Sequence, residues 1–321
     1  MYSLGFDIGG TKCAVILGGC ELPERPDGFI KDKIAFPTNV ERGWQAVVAE
    51  LCDTAAELLK RNGITDAAHE LTGIGISCGG PLDSKKGVIY SPPNLPDWDG
   101  VPLKDIMEKR FGVKTVLQND ANACAAAEWR FGAGRGFENL IFLTFGTGMG
   151  AGLILNGQLY SGACDLAGEV GHIRIAEDGP VGYSKAGSFE GYCSGAGIAK
   201  TAAIQLEKAE ACGEKTALSG MELSAKNVAI AAKNGDKTAQ LVYRICAEKL
   251  GFALSGLIDL LNPQAIIIGS IYSRDRGLFD SVIHDIIKKE ALPAAAAACK
   301  ILPAELGNSI GDFAALSLAL S

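Results

Sequence analysis

Phe6-Asp7-Ile8-Gly9-Gly10-Thr11-Lys12 turns the chain through two glycines just after an apolar stretch carrying a carboxylate, and its reading decides the fold. The flanks 2–6 and 13–17 are strand-like, so Gly9 and Gly10 are expected in a hairpin turn whose bare backbone approaches an anion closely. Successive N–H groups there form a nest, to which Thr11 adds a hydroxyl and Lys12 a charge. Asp7 faces the same space, where it can hold a hydrated Mg²⁺ through the ion's water shell. Taken alone, the segment reads equally well as an ordinary hairpin with a polar residue at its strand end.

A second segment decides between these. Leu140-Ile141-Phe142-Leu143-Thr144-Phe145 leads into Gly146-Thr147-Gly148-Met149-Gly150-Ala151-Gly152 and then Leu153-Ile154-Leu155, repeating strand, glycine turn and strand about 140 residues later. Two such hairpins in two halves imply a duplicated fold that grips one polyphosphate from both sides. No Gly-x-x-x-x-Gly-Lys-Ser/Thr loop and no Gly-x-Gly-x-x-Gly opening a helix is present, which argues against P-loop and dinucleotide-binding folds.

The 321 residues are enough for two domains, and a 48% hydrophobic content supports two cores. A net charge of −7, with no Lys/Arg run longer than a pair, disfavours a nucleic-acid surface. Ten cysteines occur without a Cys-x-x-Cys pair, as expected for free thiols in a reducing cytosol. The start runs directly into the first strand, and no apolar stretch has membrane-spanning length, so a soluble cytoplasmic protein is expected.

Periodicity predicts an α/β chain, with strands near 2–8, 13–18, 29–36, 73–77, 113–118, 140–145, 151–156, 171–175 and 264–269. Helices are expected near 43–62, 102–111, 121–131, 195–211, 224–233, 236–261, 278–290 and 310–320. This alternation makes sheets covered by helices. Asn119 and Asp120 end an apolar strand and precede an alanine-rich helix, where strand ends meet the mouth of a cleft. Capping of the helix would explain one such residue, but hardly Asn-Asp-x-Asn in succession. Glu169 and His172, three apart, can share one face of a turn, either to hydrogen-bond a ligand or to hold a metal.

Five segments in order carry a resemblance: Asp7-Ile8-Gly9-Gly10-Thr11-Lys12, Gly79-Gly80-Pro81-Leu82-Asp83, Asn119-Asp120-Ala121-Asn122-Ala123, Gly146-Thr147-Gly148-Met149-Gly150 and Gly168-Glu169-Val170-Gly171-His172. Over nearly its whole length the chain resembles the ROK family (repressors, open reading frames, sugar kinases) of the actin, Hsp70 and sugar kinase superfamily. The resemblance implies a two-domain actin-like ATPase fold, ribonuclease H-like and duplicated, with an interdomain cleft. Its domains would be 1–118, completed by a C-terminal helix in 303–321, and 119–302. It implies an ATP- and Mg²⁺-dependent sugar kinase that phosphorylates a hexose, most simply glucose at its 6-hydroxyl, and a homodimer.

Site roles follow from the same resemblance. Asp120 would be the catalytic base that accepts the sugar hydroxyl proton. The sugar would meet Gly79, Gly80, Asn94, Asn119, Asp120, Glu169, His172 and Glu190, with Trp98 packing rather than stacking. The nucleotide would meet Asp7, Gly9, Gly10, Thr11, Lys12, Gly146, Thr147, Gly148, Gly150 and Gly269, with Asp7 holding Mg²⁺ through water. Ser270 departs from the Gly-Gly that the family usually carries beside the adenosine. Many members bind zinc through the His172 equivalent and three cysteines of Cys-x-Cys-Gly-x-x-Gly-Cys-x-Glu. Here Val181, Tyr183 and Ser188 replace the cysteines, while Gly187 and Glu190 remain, so no zinc is expected. The loop 176–189 then needs other support, expected from packing of Phe189 and Tyr183. Family repressors carry a helix-turn-helix domain before the first strand, and only six residues precede Asp7, so neither a repressor nor a nucleic-acid partner is expected. A non-catalytic sugar-binding protein would need neither the base nor the phosphate cradle. Within the family the sugar also varies: mannose, allose, fructose, N-acetylmannosamine and N-acetylglucosamine are the alternatives to glucose.

Overall fold

Two five-stranded sheets of the same strand order form the frame of the computed structural model, which describes residues 1–23 and 26–320. In the first, Tyr2–Ile8, Lys12–Gly19, Ile30–Pro37, Leu71–Cys78 and Thr115–Asn119 lie in the spatial order third, second, first, fourth, fifth. Leu140–Leu143, Ala151–Leu155, Gln158–Tyr160, Ala265–Ile268 and Lys300–Pro303 repeat that order in the second. In each sheet the first three strands run antiparallel and the last two pair in parallel. The repeat predicted from the two glycine hairpins is therefore a repeat of the whole sheet. Leu140–Leu143 and Ala265–Ile268 are buried at every position, as central strands covered on both faces must be.

Helices cross between the halves. Asp120–Phe131 leaves the first sheet and packs on the second, where a Cβ added at Gly152 would lie 2.5 Å from the Ala125 methyl. Ile310–Ala319 leaves the second sheet and packs on the first, so close that a Cβ added at Gly75 would lie 2.0 Å from the Ala315 carbonyl oxygen. The two helices also meet each other, with the Phe131 ring tilted against those of Phe29 and Phe313 at centroid distances of 4.7 and 5.0 Å. Pro303 still pairs with Ile268, so the return crossing begins beyond it, and Ser321 lies outside the described residues.

One expected strand is absent. Residues 171–175 form part of a 3₁₀ turn, Val170–His172, followed by an extended stretch with a single bridge from Arg174 to Ser188. Gly171 sits against the Met149 carbonyl oxygen, which a Cβ would approach to 2.2 Å, and this tight seat bends the chain away from a sheet. A small three-stranded sheet, Leu82–Asp83, Val88–Tyr90 and Asp99–Val101, stands where no strand was expected. Trp98 packs fully buried beneath it. The cysteines are free, with Cys13, Cys52, Cys78, Cys193 and Cys246 buried. Among the described residues no helix is long and apolar enough to cross a membrane.

Candidate active site

A cleft of about 830 Å³ opens between the two sheets, a size suited to small ligands. From the first half it is lined by Gly79, Gly80, Asn94, Asn119 and Asp120, and from the second by Gly146, Thr147, Gly148, Gly150, Glu169 and Glu190. Asp7, Gly9, Gly10, Thr11, Lys12, His172 and Gly269 are not among the lining residues.

Asn119 and Asp120 divide two tasks that the sequence left undivided. The Asn119 side chain caps the helix, accepting from the Asn122 N–H at 2.8 Å, and Asn122 is buried with its amide donated to Gln118. Asp120 is thereby released from capping. Its Oδ1 accepts from the N–H of Ala121 at 2.8 Å, and the carboxylate opens into the cleft. It is reachable from the cleft yet surrounded by protein, and this desolvation, aided by the charge of Glu169, raises its pKa above the usual carboxylate value despite the nearby backbone N–H groups. A raised carboxylate pKa brings the group closer to that of a useful general base.

Asp7 is also raised, first by burial and then by the charge of Asp312, while Lys33 and Lys12 pull it down. The Asp7 carboxylate stands against the start of the helix Ile310–Ala319, where a Cβ added at Gly311 would lie 2.7 Å from its Oδ2. The turn after it is pinned by Gly9 N–H to the Lys12 carbonyl at 3.1 Å and by the Thr38 hydroxyl to the Gly9 carbonyl at 2.6 Å. Gly10 leaves room for the loop bearing Asn94: a Cβ there would lie 2.4 Å from the Asn94 carbonyl oxygen.

In the second turn, Gly146 N–H donates to the Gly148 carbonyl at 3.0 Å and Gly150 N–H to the Thr144 hydroxyl at 2.9 Å. Glu190, beside its helix cap Ser188, accepts from the Met149 N–H at 3.0 Å, so a candidate sugar ligand and the phosphate turn share a bond. Gly269 is buried at its strand end, and it is the exposed Ser270 that approaches Gly146.

His172 is exposed outside the cleft, its ring edge-on to Tyr183 at 5.6 Å. Tyr183 was expected to pack. Instead it is 48% exposed, lines the cleft and donates its hydroxyl to Glu169 Oε2 at 2.9 Å. Only Phe189, 1% exposed, packs as expected. The loop is held by a two-strand pairing of Val181 with Ala186 and Gly182 with Lys185, and by N–H groups of Ile175 and Phe189 donating to the Gly187 and Ile173 carbonyls. Across the cleft mouth, Asp165 accepts from both the N–H and the hydroxyl of Ser84, at 2.8 and 2.7 Å. No sequence signal marked this bridge, because its partners lie 81 residues apart.

Among the described residues no group of three or more His, Cys, Asp or Glu side chains could hold a metal ion, and Cys193 is buried against Cys246 instead. Purified protein is expected to contain no stoichiometric zinc, and after chelation to regain full activity when Mg²⁺ alone is restored. Elemental analysis finding one zinc per chain would contradict this.

A model of the ROK family matches residues 3–321. The chain is 31% identical to a glucokinase of Thermotoga maritima, over 98% of this chain and 96% of that one. It is 33% identical to a glucokinase of Halalkalibacterium halodurans, over 97% and 92% of the two chains. Its fold matches the crystal structure of a ROK family glucokinase from Streptomyces griseus in complex with glucose and AMPPNP, with a TM-score of 0.69 and 31% identity over 99% of each chain.

Proposed function

The chain belongs to the ROK family, and on that premise we propose that it is an ATP- and Mg²⁺-dependent kinase transferring the γ-phosphoryl group to the 6-hydroxyl of glucose. The observation that carries the reading is Asp120, a carboxylate freed from capping and opening into a cleft that the 146–150 glycine turn also lines. The full-length likeness to glucokinases, one of them solved with glucose and an ATP analogue, supports the choice of sugar and donor.

In this mechanism the sugar lies against Gly79, Gly80 and Asn94 on one wall and Glu169 and Glu190 on the other. Asn119 and Asp120 form the floor. Asp120 accepts the proton of the attacking hydroxyl as the phosphoryl group arrives, which turns a poor nucleophile into a competent one. The bare backbones of the 9–12 and 146–150 turns approach the phosphates, and Lys12 and Thr11 contribute charge and a hydroxyl. Mg²⁺ held through its water by Asp7 would neutralise charge on the transferring group. Closure of the halves excludes water and aligns donor with acceptor. Another hexose or an N-acetylhexosamine remains the alternative acceptor. A cytoplasmic homodimer is part of the proposal.

A coupled assay for ADP, run with ATP, Mg²⁺ and a panel of sugars, tests this reading. Glucose is expected to be phosphorylated and 6-deoxyglucose to bind without turnover. ADP formed with an N-acetylated hexosamine but not with glucose would overturn the choice of sugar alone, and no ADP with any sugar would overturn the kinase itself.

Glu190→Gln tests the sugar wall. The amide keeps the shape but loses charge-assisted bonds, worth about 1.5–3 kcal/mol, so KM for the sugar is expected to rise about tenfold or more, and KM for ATP less. Equal effects on both substrates would show that Glu190 serves the phosphate turn rather than the sugar.

A further inference from the structure

Tyr183 stands in a conformation that its residue type disfavours. With φ 51° at Tyr183 and 55° at Ser184, these two residues form the corner between Val181–Gly182 and Lys185–Ala186. A two-residue hairpin with both corners in the left-handed region is the natural home of Asn-Gly, and a bulky aromatic there is strained. Strain of this kind persists where the surroundings hold it, and it gathers at functional sites. Here the surroundings are those of the cleft. The Tyr183 hydroxyl reaches Glu169 Oε2 at 2.9 Å, its ring meets the edge of His172 at 5.6 Å, and Lys185 of the same hairpin donates to the His172 carbonyl at 2.8 Å. The hairpin is thus tied at two points to the turn that carries Glu169.

We propose that Tyr183 is a positioning residue that sets the Glu169 carboxylate for the sugar, its hydroxyl binding one carboxylate oxygen and leaving the other to accept from a sugar hydroxyl. This deepens the sugar-kinase reading and rests on it. Withdrawal of the hydroxyl from water, with its bond to Glu169 and the nearby charges of Glu190 and Asp120, pushes the phenol pKa further up, so the group stays a donor throughout the neutral range. A hydroxyl among three carboxylates relieves their mutual repulsion where it donates, and it fixes a long side chain that would otherwise sample several rotamers. An aromatic residue at this corner costs backbone strain, and the bond to Glu169 is what it gains in exchange.

Two variants separate positioning from mere structure. Tyr183→Phe keeps the ring and removes the bond; it is expected to raise KM for glucose about tenfold, to change kcat by less than about threefold, and to leave KM for ATP unchanged. Tyr183→Asn suits the left-handed corner, so its melting temperature is expected at or above that of the parent while the same sugar affinity is lost. A stabilised protein that binds sugar more weakly is not what a structural role produces. The double variant Tyr183→Phe with Glu169→Ala should be no worse than Glu169→Ala alone, since the alanine already removes the acceptor that the Tyr183 hydroxyl serves. Unchanged KM for glucose in Tyr183→Phe, or losses that multiply in the double variant, would overturn the assignment. Parent turnover of a hexose upholds the kinase reading whatever these variants do. A parent inert toward every sugar would overturn that reading, and this one with it.

Discussion

Asp120→Asn is expected to lower kcat by at least about 10²-fold, the scale of a lost general base, with KM for the sugar changed far less. The asparagine can still accept from the Ala121 N–H through its carbonyl oxygen, and Asn119 still caps the helix, so the fold has no reason to change. What disappears is the proton acceptor. The pH dependence carries a second signature. The base works only when ionised, and burial raises its pKa, so the parent should lose activity on acidification at a higher pH than an ordinary carboxylate would dictate. That acid limb should be missing from the residual activity of the variant. Near-normal turnover in Asp120→Asn would remove the residue from the mechanism.

Gly10→Ala is expected to cost about 10²-fold in kcat/KM, through geometry rather than charge. The added methyl would lie 2.4 Å from the Asn94 carbonyl oxygen and 2.9 Å from its Cβ, so either the first phosphate turn or the Asn94 loop must move. In the proposed mechanism one meets the phosphates and the other the sugar, and a displacement of about 1 Å in such positioning groups is enough for a loss of this size. Gly9→Ala supplies the contrast, since its methyl would meet only the Lys12 carbonyl oxygen, at 3.1 Å, and should lose less. Steady-state kinetics on both variants check the ordering. Equal activity in Gly10→Ala and the parent would contradict the seating of Asn94 against this turn.

The fold was legible where side-chain patterning and turn chemistry act locally. The strands at 2–8 and 140–143, each followed by a glycine turn, announce themselves by apolar runs, and their repetition implied the duplicated sheet. The strands at 82–83, 88–90 and 99–101 did not, because runs of two or three residues carry no period. The error at 171–175 has a tertiary cause: the seat of Gly171 on the Met149 carbonyl cannot be seen from either segment alone. The site divides the same way. Asn119-Asp120 stood out by residue type, but which of the two caps was decided only by the bond from Asn122. Tyr183 passed for packing because nothing in Tyr-Ser-Lys signals a left-handed corner. The links from Glu190 to Met149, from Asp165 to Ser84 and from Tyr183 to Glu169 are contacts through space, and no spacing rule predicts them.

The central claim is that the cleft passes a phosphoryl group from ATP to a sugar hydroxyl activated by Asp120. Phosphorus NMR of the products after incubation with ATP, Mg²⁺ and glucose tests it most directly. The expected result is a phosphate ester on the 6-hydroxyl appearing in step with ADP for the parent and almost none for Asp120→Asn. Free phosphate in place of the ester, or the same ester formed at parental rate by Asp120→Asn, would contradict it.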